Sequence, residues 1–140
     1  MQLDTFKVRD FATRYTAAWC SQNPAAVAEF FSPNGSLTIN GGAAAVGRRS
    51  ITEAAREFMT ASPDLKVSMD DLVFKDEVVE YHWTLTGTNS GPGGTGHGVA
   101  ISGYEEWRFG KDGRIAKSLG HFDAADFQQQ QRNGSRKSAT

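Results

Sequence analysis

The chain has 140 residues and a formal net charge of -1, so it fits one domain and carries no positive excess that would attract nucleic acid. Its single cysteine, Cys20, excludes a disulfide within the chain and a cysteine-based metal cluster. Because Cys20 lies among apolar residues at helical spacing, we expect a buried, unreactive thiol. The first segment, MQLDTFKVRDF, is charged and lacks an apolar run, which favours a cytoplasmic protein without a membrane segment.

The first predicted element is an amphipathic helix over residues 4–22. Its apolar residues recur at a spacing of mostly three and four and include Tyr15 and Trp19. A short second helix follows from Pro24, a residue suited to the first helical turn, with Asn23 as its N-cap. The two helices are predicted to form a hairpin.

A short strand and a third helix come next. SLTIN predicts the strand, and GGAAAVG predicts a flexible connector. Ser50, with Glu53 three residues later, predicts the capped start of a helix over ITEAAREFMTAS, which Pro63 ends.

The rest of the chain predicts two β-hairpins. The first covers residues 65–91 and turns near KDE, and the second pairs HGVAISGYEEWRF with RIAKSLGHF across GKDG. Helices followed by hairpins indicate an α+β domain in which helices cover one face of an antiparallel sheet. We place this single domain in residues 1–131 and a polar tail in residues 132–140, and we expect QQQQRNGSRKSAT to fray.

Two neighbouring acids in the third long strand raise a question about the interior. Side chains alternate along a strand, so Glu105 falls on the same apolar side as Ile101 and Trp107, whereas Glu106 faces the other way. A carboxylic acid among apolar side chains loses solvation, and its pKa rises. Glu105 is therefore a candidate functional acid inside the domain.

Structural explanations of the same residues stay open. Glu105 could reach the rim of the domain or form an ion pair with Arg48, Arg49 or Arg56. Tyr15 could be a core residue whose hydroxyl finds a backbone partner.

Four segments together resemble the nuclear transport factor two-like superfamily, in particular its SnoaL-like and ketosteroid-isomerase-like branches. They are RYTAAWCSQNPAAVAEFFSPNGSLTI, GRRSITEAAREFM, EYHWTLTGTNSG and GYEEWRFGKDGRI, and in this order they cover nearly the whole chain. The resemblance implies a cone, in which three N-terminal helices pack on a strongly curved, mostly antiparallel sheet. Because the superfamily hosts isomerases, cyclases, dehydratases, hydrolases and binding modules, the resemblance is specific for the fold and not for the function.

The resemblance implies catalytic roles for Tyr15 and Glu105. Ketosteroid isomerases use a tyrosine on the first helix and a protonated aspartate on a strand to donate hydrogen bonds to the substrate oxyanion. The motif RYTAAW resembles the surroundings of that tyrosine, and EEWRF resembles those of the acid. Tyr15 and Glu105 would together stabilise an enolate, without a metal or an organic cofactor.

The positions of the general base in these enzymes hold no acid in this chain. Asn40, in LTINGG, stands nearest the isomerase aspartate, and an amide cannot abstract a proton at neutral pH. Gly120 stands at the position of the cyclase aspartate, and a register three residues later would use Asp123 instead. His97 is a further candidate, since it shares the side of Glu105 and lies near the expected mouth of the pocket.

Apolar residues distributed along the chain could line a ligand cavity. The candidates are Trp19, Phe58, Trp83, Ile101, Trp107 and Phe122.

We predict a cofactor-independent enzyme of the isomerase or cyclase type that acts on an apolar carbonyl compound. The alternative is a non-catalytic ligand-binding or dimerisation module that has kept the cone and lost its base. An epoxide hydrolase of the same fold would need an Arg-Asp-Asp constellation, which the sequence does not reveal.

The expected partners are an apolar small molecule and a second copy of the chain. The resemblance implies a homodimer formed through the outer sheet face, which carries Tyr104, Leu119 and His121 among polar neighbours. Neither a nucleic acid nor a membrane is expected as a partner.

Overall fold

The computed structural model describes residues 4–134 as an open, curved six-stranded sheet with four helices. The helices are α1 (Thr5–Cys20), α2 (Pro24–Ala28), α3 (Arg48–Ala61) and α4 (Ala124–Asn133). The strands are β1 (Phe31–Ile39), β2 (Ala45–Val46), β3 (Lys66–Lys75), β4 (Val78–Thr88), β5 (Gly98–Phe109) and β6 (Ile115–Phe122). The predicted α+β class, with helices on a mostly antiparallel sheet, is confirmed.

The strand order β2-β1-β6-β5-β4-β3 places β5 near the middle of the sheet. All neighbouring strands are antiparallel except β1 and β6, which are parallel. On β5, Glu105 pairs with Tyr81 of β4 on one side and with Gly120 of β6 on the other. Directly paired residues share a face of the sheet, so these three positions face the same space.

Helix α1 packs one apolar stripe against the sheet. Asp4 caps the helix by accepting hydrogen bonds from the backbone of its first turn. The rings of Tyr15 and Trp107 meet edge to face with centroids 5.1 Å apart, and Tyr81 stacks on Trp107 at 4.7 Å. All three side chains are completely or almost completely buried, so this aromatic cluster fixes α1 on β4 and β5.

Two local features differ from the sequence-based expectation. Helix α3 begins at Arg48 with Gly47 at its N-cap, so Ser50 lies inside the helix and does not cap it. The glycine-rich connector contains strand β2, which pairs with β1. Strand β1 also extends through SPNG, where its pairing with β6 is irregular between Phe31 and Ser36.

Helix α4 occupies part of the segment that was expected to fray, and it includes residues 132–133 of the predicted tail. Strand β6 pairs with β5 only as far as the Gly103–Phe122 pair, which leaves the rest of that β5 edge without a strand partner. Gln130 of α4 is buried and accepts a hydrogen bond of 2.6 Å from the backbone N–H of Ala100. The helix is therefore held by a tertiary contact that replaces a missing strand partner. Residues 135–140 of the predicted tail lie outside the described residues.

Cys20 is exposed, so the expectation of a buried thiol is wrong. The buried stripe of α1 ends at Trp19, and the next residue is rotated away from the core. The Sγ atom of Cys20 lies 3.2 Å from the carbonyl oxygen and 3.3 Å from the backbone nitrogen of Val67. Between residues 4 and 134, no helix is long and apolar enough to cross a membrane.

Candidate functional site

A cavity of about 60 Å³ lies between the sheet and three of the helices. Its lining residues are Trp19, Leu37, Ile39, Phe58, Val67, Tyr81, Trp83, Leu85, Ile101, Glu105, Gly120, Phe122 and Phe127. Glu105 supplies the one carboxyl group in this lining, and the other residues are aliphatic, aromatic or glycine. The cavity therefore presents a single acid to a largely apolar space.

Glu105 is held by three uncharged donors and is only 7% exposed. Its Oε1 atom accepts hydrogen bonds from Ser118 Oγ at 2.7 Å, Trp107 Nε1 at 3.0 Å and the Tyr15 hydroxyl at 3.1 Å. The Oε2 atom is also 3.1 Å from the Tyr15 hydroxyl, which has one proton to share between the two oxygens. Oε1 is thus saturated, whereas Oε2 keeps the capacity to bond a ligand or to carry a proton.

Burial sets the protonation of this cluster. Loss of solvation raises the pKa of Glu105 above its ordinary value, although the hydrogen bonds from Ser118, Trp107 and Tyr15 oppose the rise. Burial, followed by the nearby charge of Glu105, raises the pKa of Tyr15 well above its usual range. Tyr15 therefore stays protonated and acts as a donor, while Glu105 holds a proton more readily than an exposed glutamate does.

Tyr81 is a second lining residue that carries a polar group. Thr16 Oγ1 donates to the backbone oxygen of Ala12 at 2.8 Å, so it has no proton left for its contact with the Tyr81 hydroxyl. The Tyr81 hydroxyl must donate to Thr16 in that contact. Burial raises the pKa of Tyr81, so its hydroxyl stays protonated and its proton is committed to Thr16.

Five of the six residues predicted to line a cavity do line this one. They are Trp19, Phe58, Trp83, Ile101 and Phe122. The sixth, Trp107, is fully buried behind Glu105, where the rings of Phe11 and Tyr15 meet its indole edge to face. Its N–H group is committed to Glu105, so Trp107 supports the acid instead of forming the wall.

Tyr15 and Glu105 are brought together, but in an arrangement that differs from the expected oxyanion pair. Tyr15 is completely buried and does not line the cavity, and its hydroxyl proton points to Glu105. It can act on a ligand only through that carboxyl group.

The alternative of an ion pair between Glu105 and an arginine is not observed within residues 4–134. Arg48 donates to the Phe31 carbonyl, and Arg56 pairs with Glu53.

The other candidate catalytic residues lie away from the cavity lining. Asn40 is exposed with a φ of 52°, and its Oδ1 accepts a hydrogen bond of 2.9 Å from the backbone of Phe122. It thereby fastens the end of β1 to β6. His97 is exposed in the segment before β5, and Asp123 is the N-cap of α4, where it accepts from the backbone of Asp126.

Several residues of the site were missed in the sequence. Ser118 and Tyr81 follow the strand alternation that points Gly120 and Glu105 inward, and this alternation is visible in the sequence. Phe127 had no comparable signal, because it lies on a helix of mostly polar residues. Within residues 4–134, no group of three His, Cys, Asp or Glu side chains is arranged to hold a metal ion.

Glu105→Gln is expected to remove a pH dependence of folding stability. Folding raises the pKa of Glu105, so the stability that its proton contributes is fully present below the ordinary value of 4.5 and is lost as pH rises through the folded value. The loss amounts to about 1.4 kcal/mol for each unit by which the pKa is raised. Denaturant unfolding should show that the wild type loses stability relative to the variant as pH rises above the ordinary glutamate value of 4.5. A stability difference independent of pH would contradict the raised pKa.

The same fold occurs in solved structures of low sequence identity. A protein of ketosteroid-isomerase-like fold from Catenulispora acidiphila, solved with trimethylamine, has a TM-score of 0.77 and 18% identity over 88% of this chain and 92% of that chain. A SnoaL-like polyketide cyclase candidate from a Jannaschia species has a TM-score of 0.81 and 14% identity over 95% and 98% of the two chains. The hydroxylase candidate AclR from Streptomyces galilaeus has a TM-score of 0.73 and 20% identity over 86% and 91%.

At these identities the similarity shows the fold alone. None of the curated proteins matches this chain. The sequence profile of the SnoaL-like domain, in contrast, matches residues 12–118, which begin within α1 and include most of the sheet. The chain therefore belongs to the SnoaL-like domain family.

Proposed function

We propose that the protein is an enzyme that moves a proton on a small, largely apolar carbonyl compound, with Glu105 as its acid–base group. The observation that carries this proposal is one buried carboxyl group at an apolar cavity, with Oε1 saturated and Oε2 available. The cavity volume of about 60 Å³ exceeds the about 10–15 Å³ that one water needs, so the cavity has room for a small molecule. This volume favours a small compound over a polycyclic one.

The proposed chemistry needs one carboxyl group. The ionised Glu105 takes a proton onto Oε2 from the carbon next to the carbonyl, and the electron pair of the broken C–H bond forms the enolate. The neutral acid then protonates the enolate again. If Glu105 has first exchanged its proton with solvent, return to the same carbon gives isotope exchange, and return to a conjugated carbon gives isomerisation. The raised pKa of Glu105 makes it a stronger base than an exposed glutamate, and its three donors keep the carboxyl group in one orientation.

A non-catalytic ligand-binding module is the second candidate function. Asn40 and Gly120 occupy the two positions where the resemblance leads us to expect a base, and Asn40 turns away from the cavity. The cyclase and hydroxylase candidates among the similar structures favour an enzyme in general terms and say nothing about this chain's substrate. The homodimer and the cytoplasmic location stay predictions.

Proton exchange on small ketones separates the two functions. In D₂O, the wild type is expected to accelerate deuterium uptake at the α-carbon of ketones ranging from acetone to cyclohexanone, as followed by proton NMR. Glu105→Gln should lower this rate by about 100-fold or more, because an amide cannot take the proton. Glu106→Gln is the matched control, since Glu106 lies on the opposite face and bonds His121, and it should keep the wild-type rate. Ketone binding without any acceleration would favour the binding module.

A further inference from the structure

The lining of the cavity favours positive charge. Six of its residues are aromatic: Trp19, Phe58, Tyr81, Trp83, Phe122 and Phe127. The faces of aromatic rings carry partial negative charge and attract cations. The lining contains no Lys, Arg or His, and its one carboxyl group is that of Glu105. An anionic ligand would find no opposite charge there, whereas a cation would find both the rings and a carboxylate.

The rings surround the space from several directions. Phe58 lies at the centre of the group, with ring centroids 6.0 Å from Trp19, 6.4 Å from Phe122 and 6.2 Å from Phe127. Trp83 meets Phe122 at 5.9 Å. These ring pairs are inclined by between 42° and 76°, so the rings do not lie in one flat stack. A cavity lined by aromatic rings from three helices and two strands is suited to a compact cation.

The few polar atoms in the lining decide which kind of cation fits. A primary ammonium group has three N–H donors, and each of them needs an acceptor in a buried site. Glu105 supplies the one carboxyl group of the lining, and its Oε1 is already saturated by three donors. A quaternary ammonium has no N–H donor, and a protonated tertiary amine has one. The chemistry therefore fits an alkylated ammonium group better than a primary amine.

We infer that the natural ligand of this cavity carries a small alkylammonium group, held between the aromatic rings with the Glu105 carboxylate as its counter-charge. The inference rests on the proposed function only in taking the cavity as the site of a small molecule. In the proposed reaction, the ligand's own positive charge would offset the charge of the enolate, for which the lining holds no cation. The substrate class is then a small amino ketone or amino aldehyde with an alkylated nitrogen.

Two probes of equal size test the inference on the full-length protein. Tetramethylammonium and tert-butanol each place four substituents around a central atom, but only the first is charged. Binding is measured by calorimetry and by the fluorescence of Trp19 and Trp83, which both line the cavity. Potassium chloride keeps the ionic strength equal in all titrations. We expect tetramethylammonium to bind the wild type about 10-fold more tightly than tert-butanol, or better.

The variants assign the preference to Glu105. Glu105→Gln should weaken tetramethylammonium binding by about 10-fold or more and leave tert-butanol unchanged, because only the cation loses a counter-charge. Glu106→Gln should change neither affinity. Equal affinities of the wild type for the two probes overturn the inference, and this comparison requires no variant. That result would not contradict the proposed function. The proposed function is contradicted by a different result, namely that the protein does not accelerate deuterium exchange on small ketones.

Discussion

Gly103→Ala is expected to destabilise the protein by about 3 kcal/mol, more than a typical substitution. A Cβ atom at this position would lie 2.3 Å from the backbone oxygen of His121, 2.8 Å from Cζ2 of Trp83 and 2.9 Å from Cβ of Phe122. The first contact could be relieved only by shifting β6 away from β5. The other two press on residues that line the cavity. The same change should therefore alter both the free energy of unfolding and the shape of the site.

Gly98→Ala, in the same strand, is the matched control for this prediction. The nearest atom to a Cβ at Gly98 lies 4.0 Å away, and the backbone there has no positive φ. We expect its effect on the free energy of unfolding in urea to stay within about 0.5 kcal/mol. If both variants lose a similar free energy of unfolding, the close approach of β5 and β6 is not the reason for a glycine at position 103.

The face of the sheet on which Glu105 lies could be predicted, because strand alternation is a local property. Every second side chain of a strand faces the same way. The apolar residues that share a side of the strand with Glu105 were therefore enough to predict that it faces the interior. The buried positions of Ile101 and Trp107 agree with this register. The strands of the two hairpins and their turns were predictable for the same reason, since each of them depends on neighbours in sequence, whereas β2 and the start of β1 were not predicted.

The partners of Glu105 could not be predicted in the same way. Helical spacing shows that Tyr15 faces the core, but the strand residue that it meets depends on how α1 is rotated and shifted on the sheet. Asn40 occupies the position expected of a base, yet its positive φ and its bond to the backbone of Phe122 turn the side chain away from the cavity. A residue's position within a motif that resembles a family does not determine the direction of its side chain at the end of a strand.

Helix α4 was missed because its stability comes from tertiary contacts. Its sequence, AADFQQQQRN, has little apolar periodicity. The helix is held where Gln130 completes the hydrogen bonding of β5 and where Phe127 meets Phe58 and Phe122. Tertiary context of this kind commonly overrides weak local preference.

Glu105→Leu is expected to lower the free energy of unfolding by about 3–5 kcal/mol at a pH where the wild-type acid is neutral. Leucine has a similar volume but no acceptor, so the donors of Trp107, Ser118 and Tyr15 would lose their shared partner in the interior. A buried donor without an acceptor costs about 1–3 kcal/mol. Glu105→Gln keeps one acceptor oxygen and should cost about 1 kcal/mol under the same conditions. Urea unfolding of the two variants measures the difference.

The same substitution in a variant that lacks two of the donors shows whether donors left without an acceptor cause this loss of stability. In a protein that already carries Tyr15→Phe and Ser118→Ala, only the Trp107 N–H would be left without a partner, so the leucine should cost about 2–3 kcal/mol less than in the wild type. The difference between the costs of the leucine substitution in the two backgrounds is a coupling energy between Glu105 and its donors. The effect of leucine on packing is similar in both backgrounds, so it largely cancels from this difference. An equal cost in both backgrounds would mean that these hydrogen bonds do not hold the acid in the interior. The reason for a buried glutamate would then have to lie in the ligand that it faces, because no other described contact of Glu105 offsets its loss of solvation.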